Sequence, residues 1–210
     1  MLEKIKEYAH LNNVPIIQDE GLNFLLQNID KYNVKSILEV GSAIGYSAIM
    51  MAKANKDLNI LTIEIDPKRY EMAKQNIEGF QLNDQISIIN LDANNYKSDT
   101  KYDLIFLDGA KSQYDNMLNN LYDNLSDSGI IIVDNLGFHG LVYVKDLKIK
   151  RRTRQLVEKI KLFRKHIVED DRFEVILFDD IGDGMGLLIN KKGCQDGKHK
   201  WSKKTNNWFY

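Results

Sequence analysis

Between residues 36 and 133 the chain repeats a short, mainly apolar run five times: Ser36 to Val40, Ile60 to Ile65, Ile86 to Leu91, Leu104 to Leu107 and Ile130 to Val133. A strand with one wet face alternates apolar and polar residues; these runs largely do not, so both of their faces must be covered. What lies between them is helical in spacing. Tyr46 to Ala54 follows the first run, and Asp66-Pro67 opens a helix that puts Tyr70, Ala73 and Ile77 on one face. A later helix turns Met117, Leu118, Leu121 and Leu125 inward, after which Ser126-Asp127-Ser128-Gly129 turns the chain into the fifth strand. Repetition of strand, helix and strand predicts a doubly wound, Rossmann-like α/β sheet, mostly parallel, with helices on both faces and function at the strand C-termini.

The flanks refine this expectation. Leu22, Leu25, Leu26 and Ile29 predict an N-terminal helical region, and Leu156, Ile160, Phe163 and Ile167 form the buried stripe of a helix after the fifth strand. Two last strands, Phe173 to Phe178 and Met185 to Asn190, are joined by the turn-rich Asp179-Asp180-Ile181-Gly182-Asp183-Gly184 and read as a closing antiparallel hairpin. With 210 residues and 43% hydrophobic content, residues 1–193 suit one domain, and 194–210, rich in Lys, Asn, Gly and Trp without periodicity, suit a tail. The N-terminus carries both charge signs and no run reaches membrane-spanning length, so a cytoplasmic protein without membrane contact is expected. The single cysteine, Cys194, excludes an internal disulfide and a multi-cysteine metal site.

Two constellations carry chemistry. The first strand ends in Glu39 and breaks into a glycine turn, Gly41-Ser42-Ala43-Ile44-Gly45, before Tyr46 and Ser47 open a helix. Glycines let a backbone approach a ligand and the helix N-terminus offers free N–H groups, which suits an adenosyl group. Ala43 and Tyr46 stand where the dinucleotide fingerprint needs glycine, which argues against NAD. Glu64 ends the second strand, 25 positions after Glu39, where a carboxylate can accept from ribose hydroxyls, and Asp92 ends the third. Each acid alone also fits a cap or a turn; together they end adjacent strands beside one crevice.

The second constellation is Asp108-Gly109-Ala110-Lys111 after the fourth strand and Asp134-Asn135 after the fifth. Adjacent parallel strands bring two carboxylates and an amide together, a hard-oxygen set suited to Mg²⁺ or Ca²⁺. Lys111 could sit beside such an ion, its pKa lowered toward that of a general base, or be an exposed loop lysine. His139 follows the pair and could touch substrate or be incidental. From Lys145 to His166 ten Lys or Arg face only Asp146 and Glu158, a local charge of +8 in a chain of net charge −1. This segment is either a polyanion footprint or a solvated helix face displayed outward.

Taken in order, Leu38-Glu39-Val40-Gly41, Gly45-Tyr46-Ser47, Glu64, Asp92-Ala93, Leu107-Asp108 with Lys111 and Tyr114, Val133-Asp134-Asn135 and Gly182-Asp183-Gly184 resemble the metal-dependent O-methyltransferases of the catechol and caffeoyl-CoA type, over about residues 14–192. The resemblance implies S-adenosylmethionine as cofactor and Mg²⁺ or another hard divalent cation on Asp108, Asp134 and Asn135. It implies Lys111 as base, Glu64, Asp92 and Ala93 on ribose and adenine, and a homodimer. Asp108, between the two sites, is expected to serve both. Val14-Pro15-Ile16, Gly45 to Ile49, and Leu136 to Val142 with Arg151-Arg152 downstream look most like the bacterial tRNA 5-hydroxyuridine methyltransferases. That branch implies a tRNA anticodon loop as partner, with Lys150, Arg151, Arg152 and Arg154 on its phosphates and Tyr114 and Phe138 as stacking platforms. Ser42 in place of the common threonine, Gly109-Ala110 after the aspartate, and the tail depart from the pattern. A catechol-like small molecule as acceptor is the first alternative. An NAD-dependent oxidoreductase or an adenosyl-binding module without catalysis is the alternative from another class.

Overall fold

The computed structural model describes residues 1–145 and 148–195, with backbone only for Cys194 and Gln195. Its strands are β1 (Ser36–Val40), β2 (Asn59–Glu64), β3 (Ile86–Asn90), β4 (Tyr102–Leu107), β5 (Leu125–Val133), β6 (Phe173–Phe178) and β7 (Met185–Asn190). They form one seven-stranded sheet in the order β3-β2-β1-β4-β5-β7-β6. β1 pairs in parallel with β2 on one side and β4 on the other, so the chain reverses its winding between β1 and β4. Only β7 is antiparallel to its neighbours, β5 and β6, which is the expected closing hairpin.

The helices are α1 (Leu2–Leu11), α2 (Asp19–Lys31), α3 (Tyr46–Ala54), α4 (Pro67–Gly79), α5 (Tyr114–Leu121), α6 (Arg151–Glu169) and α7 (Lys192–Gln195). The start of α4 follows from its sequence: the Asp66 carboxylate accepts the N–H groups of Lys68 (2.8 Å) and Arg69 (3.0 Å), and Pro67 enters where no donor is needed. Buried residues of α1, α2 and α3, with Ile77 of α4, form one core cluster with alternate side chains of the central strands. α5 and α6 cover the opposite face through Met117, Leu118, Leu121, Ile160, Phe163 and Ile167. Every residue of β7 and the last five of β5 are buried, which is why these strands read as continuous apolar runs.

Three expectations need correction. Leu125 is not in a helix: α5 ends at Leu121, a 3₁₀ turn spans Tyr122–Asn124, and Leu125 starts β5. The pairing of β5 with β4 then jumps from Tyr102–Leu125 to Leu104–Ile130, so Ser126 to Gly129 form an excursion out of the ladder instead of a turn before the strand. On α6 the buried stripe starts at Val157, with Leu156 only half-buried. Of the expected tail, α7 reaches Gln195, and 196–210 lie outside the described residues, as do Asp146 and Leu147 of the basic segment. No helix among the described residues is long and apolar enough to cross a membrane.

Candidate active site

The reversal between β1 and β4 opens a crevice at their C-terminal ends, and the chain closes it by backbone contact. The Asp108 N–H donates to Val40 O at 2.9 Å, and the Gly41 N–H to Ile63 O at 2.9 Å, so the ends of β1, β2 and β4 are tied together. Gly41 has φ +100°, and a Cβ there would run into the Asp108 carbonyl oxygen. Only glycine allows this approach. Gly45, at φ +83°, caps α3 and packs against Ala73.

The result is a cleft of about 300 Å³ whose walls include Gly41, Ala43, Glu64, Ile65, Arg69, Asp92 and Ala93 toward β2 and β3, and Asp108, Gly109, Lys111 and Asn135 toward β4 and β5. Pro15 and Ile16, from the link between α1 and α2, also line it. No sequence signal pointed to Pro15, Ile16, Ile65 or Arg69 as lining residues, because their placement depends on how distant segments fold over the sheet edge.

Glu64 is held as a carboxylate acceptor: Oε2 takes the Ala43 N–H at 2.8 Å and Oε1 the Asp66 N–H at 2.9 Å. Asp92 Oδ1 accepts from the N–H and the side-chain amide of Asn94, both at 2.9 Å. Glu39, Gly45, Tyr46 and Ser47 are not brought to the cleft. Glu39 is fully buried, with Oε1 accepting from Ser47 Oγ and Oε2 from Thr62 Oγ1, each at 2.5 Å. Burial pushes its pKa up to about 7, against the pull of these two hydroxyls and with a smaller push from Glu64. Glu39 thus ties β1 to α3 and β2, and Tyr46 is core.

On the other side of Gly41, the half-buried Asp108 of the cleft wall and the buried Asp134 form an acidic pair. Burial raises the Asp108 pKa well above the carboxylate range, and the neighbouring Asp134 charge adds to it. Asp134 is also raised by burial, although its Oδ1 accepts the Asn135 N–H at 2.6 Å. The Lys111 ammonium counters both. Among the described residues no three His, Cys, Asp or Glu side chains gather as a metal site. The donor set is therefore two carboxylates with the Asn135 amide beside them, and it suits a hard cation that keeps other oxygen ligands.

Tyr114 is not a stacking platform. It is 1% exposed, its hydroxyl donates to Asp134 O at 2.9 Å, and its ring meets Phe163 with centroids 5.3 Å apart. The turn Lys111–Gln113 runs directly into α5, which carries Tyr114 under α6. Phe138 is half-buried, and the His139 side chain is 76% exposed. The basic helix is only partly displayed: Lys161 pairs with Glu158, Lys165 with Glu169, and Arg164, with its side chain 14% exposed, pairs with Asp179. Lys150, Arg151, Arg152 and Arg154 at its start are exposed.

A sheet with this order and a single reversed strand, carrying its cleft at the turn after β1, defines the class I methyltransferases. Within that class the chain belongs to the O-methyltransferase family, whose sequence model matches residues 1–192. A caffeoyl-CoA O-methyltransferase of Populus kitakamiensis is 31% identical over 191 residues, covering 87% of this chain and 80% of its own. Tapetum-specific methyltransferase 1 of Arabidopsis thaliana is 29% identical over 192 residues, covering 87% and 81%. Among solved structures, a Staphylococcus aureus protein described as a candidate caffeoyl-CoA O-methyltransferase superposes with a TM-score of 0.85 at 32% identity, covering 90% of this chain and 91% of its own.

Proposed function

We propose that the protein transfers a methyl group from S-adenosylmethionine to a hydroxyl oxygen with the help of a hard divalent cation such as Mg²⁺, and that the acceptor is 5-hydroxyuridine at the tRNA wobble position, which becomes 5-methoxyuridine. One observation carries the chemistry: the glycine turn with Glu64 and Asp92, and Asp108 with Lys111 and Asn135, line the same cleft, with the buried Asp134 next in sequence to Asn135. A donor and an acceptor bound in it would therefore meet.

Glu64 and Asp92 are the acceptors for ribose hydroxyls, and Gly41 lets the ends of β1 and β4 close together at the cleft. Asp108, Asp134 and Asn135 would hold the cation, whose charge would favour the ionised form of both carboxylates. When bound, the cofactor supplies an electrophilic methyl on sulfur, and the cation a Lewis acid that favours a deprotonated acceptor hydroxyl. Lys111 lines the cleft and, in its uncharged form, would take the proton from that hydroxyl, while the cleft walls align the oxygen for in-line attack.

The tRNA assignment is supported by the start of α6. Arg151 and Arg152 open its first turn, with no acidic residue there and no side-chain cap, although the positive end of a helix dipole disfavours cations. Such an arrangement gives up helix stability unless an anion faces it. The second reading, a catechol-like small molecule, is favoured by the relatives named caffeoyl-CoA O-methyltransferase. Nucleoside analysis of tRNA from cells lacking the protein separates the two. Loss of 5-methoxyuridine with gain of 5-hydroxyuridine is expected, and unchanged tRNA would turn the assignment to the small molecule.

A further inference from the structure

Asn135 sits in the left-handed region at φ +61°, followed by Phe138 at +45°, His139 at +56° and Gly140 at +75°. Asparagine tolerates this region better than phenylalanine or histidine, yet each such non-glycine residue is strained and persists only where its surroundings enforce it. The enforcement comes from the connection between β6 and β7. Leu136 N–H donates to Gly184 O at 2.8 Å, Gly137 N–H to Asp183 O at 2.6 Å, and His139 N–H to Asp183 Oδ1 at 2.5 Å. Two glycines let the two connections close on each other: a Cβ on Gly137 would stand 2.8 Å from Asp183 O, and one on Gly184 2.5 Å from Gly137 N. At the far end of the same loop, the Tyr143 hydroxyl donates to Asp179 Oδ1 at 2.6 Å, and Arg164 Nη2 donates to that same oxygen at 2.8 Å.

We infer that Asp183 is a positioning residue for the catalytic cleft: its carbonyl and its Oδ1 clasp the loop that presents Asn135 beside Asp108. The inference rests on Asn135 serving the proposed cation. Asp183 is 8% exposed and acts through the hydrogen bonds it accepts, with no third acid joining Asp108 and Asp134 in a metal cluster among the described residues. A side chain that orients a ligand in this way is worth a large part of the metal affinity without touching the ion.

The test uses the full chain as wild type, Asp183→Ala and Asp183→Asn. Asparagine keeps an oxygen for the His139 N–H and loses the charge; alanine loses both. In Asp183→Ala, amide exchange across residues 136–140 should accelerate about tenfold or more, because the loop loses its closing bond. Mn²⁺ affinity, read by electron paramagnetic resonance, should weaken about tenfold or more. S-adenosylhomocysteine affinity by calorimetry should stay within about twofold, since Glu64 ends β2 and Asp92 follows β3, on elements separate from this loop. Asp183→Asn should restore exchange and Mn²⁺ affinity to within about threefold of wild type. Should Asp183→Ala not fold, Asp183→Ser replaces it, its hydroxyl too short for the same bond. Wild-type exchange in Asp183→Ala would overturn the clasp, and Mn²⁺ affinity as poor in Asp183→Asn as in Asp183→Ala would assign the effect to charge. Wild-type protein that takes up no Mn²⁺ removes the metal reading instead, and the exchange measurement then decides the clasp alone.

Discussion

Ser47 donates its hydroxyl to Glu39 at 2.5 Å inside the protein, so the acid that ends β1 binds the fold to itself. Glu39 has a folded pKa of about 7 against an ordinary value of 4.5, chiefly because burial penalises its charge. The folded state therefore holds a proton that the unfolded chain releases between these two values. Stability from this group is fullest below about pH 4.5 and falls as pH rises to about 7, by at most on the order of 3 kcal/mol. Glu39→Gln cannot ionise and can still bond both hydroxyls. Urea unfolding at pH 5 and pH 8 should show the variant gaining on wild type at the higher pH. An equal difference at both pH values would mean that Glu39 is already charged in the folded protein.

The Glu39 placement marks where sequence patterning stops being informative. Continuous apolar runs and Asp66-Pro67 state their own local outcome, so the sheet, α4 and the closing hairpin were legible. Whether an acid at a strand end faces the crevice or the opposite layer depends on the direction of one side chain, which is set by Thr62 and Ser47 on other elements. Tyr114 was misplaced for the same reason: its spacing from Asp108 is visible, but the cover supplied by Phe163 is not. Asp183 was noticed only as part of a motif, since its bonds cross 44 positions to His139. Glycine at 41 was legible because the turn needs it locally.

Gly41→Ala adds a Cβ against the Asp108 carbonyl at a φ of +100°. Relief requires β1 and β4 to part at the cleft. The expected cost is about 1–3 kcal/mol, which for a chain of this size lowers the melting temperature by several degrees. S-adenosylhomocysteine affinity should fall with it. A variant with wild-type melting and wild-type calorimetric affinity would show that the approach is not needed.

Asp134→Asn removes one charge of the acidic pair while leaving an oxygen for the Asn135 N–H. Methyl transfer to any acceptor should fall about a hundredfold, and Mn²⁺ binding should be lost. In EDTA the variant should melt about 2–4 °C above wild type, because a neutral amide escapes the burial penalty that the Asp134 carboxylate meets. Opposite signs for stability and activity distinguish a functional carboxylate from a structural one. Melting below wild type in EDTA, with methyl transfer retained, would make Asp134 structural.

Lys150, Arg151, Arg152 and Arg154 give the clearest separation between a nucleic-acid footprint and a solvated helix. All four are exposed, and Arg151 and Arg152 open the first turn of α6, where the helix dipole opposes them. If they lie on anticodon-stem phosphates, binding releases condensed counterions, and replacing all four with alanine removes those contacts together. The affinity for tRNA should then fall about tenfold or more at low salt, and the plot of affinity against salt should flatten by roughly two to four units of slope. Methylation of free 5-hydroxyuridine should be nearly unchanged, since Asp108, Lys111, Asp134 and Asn135 are untouched. Filter binding at several salt concentrations, with melting as the control for folding, makes the measurement. Equal affinities and parallel salt slopes would take α6 out of RNA recognition and leave a small-molecule acceptor as the better assignment for the cleft.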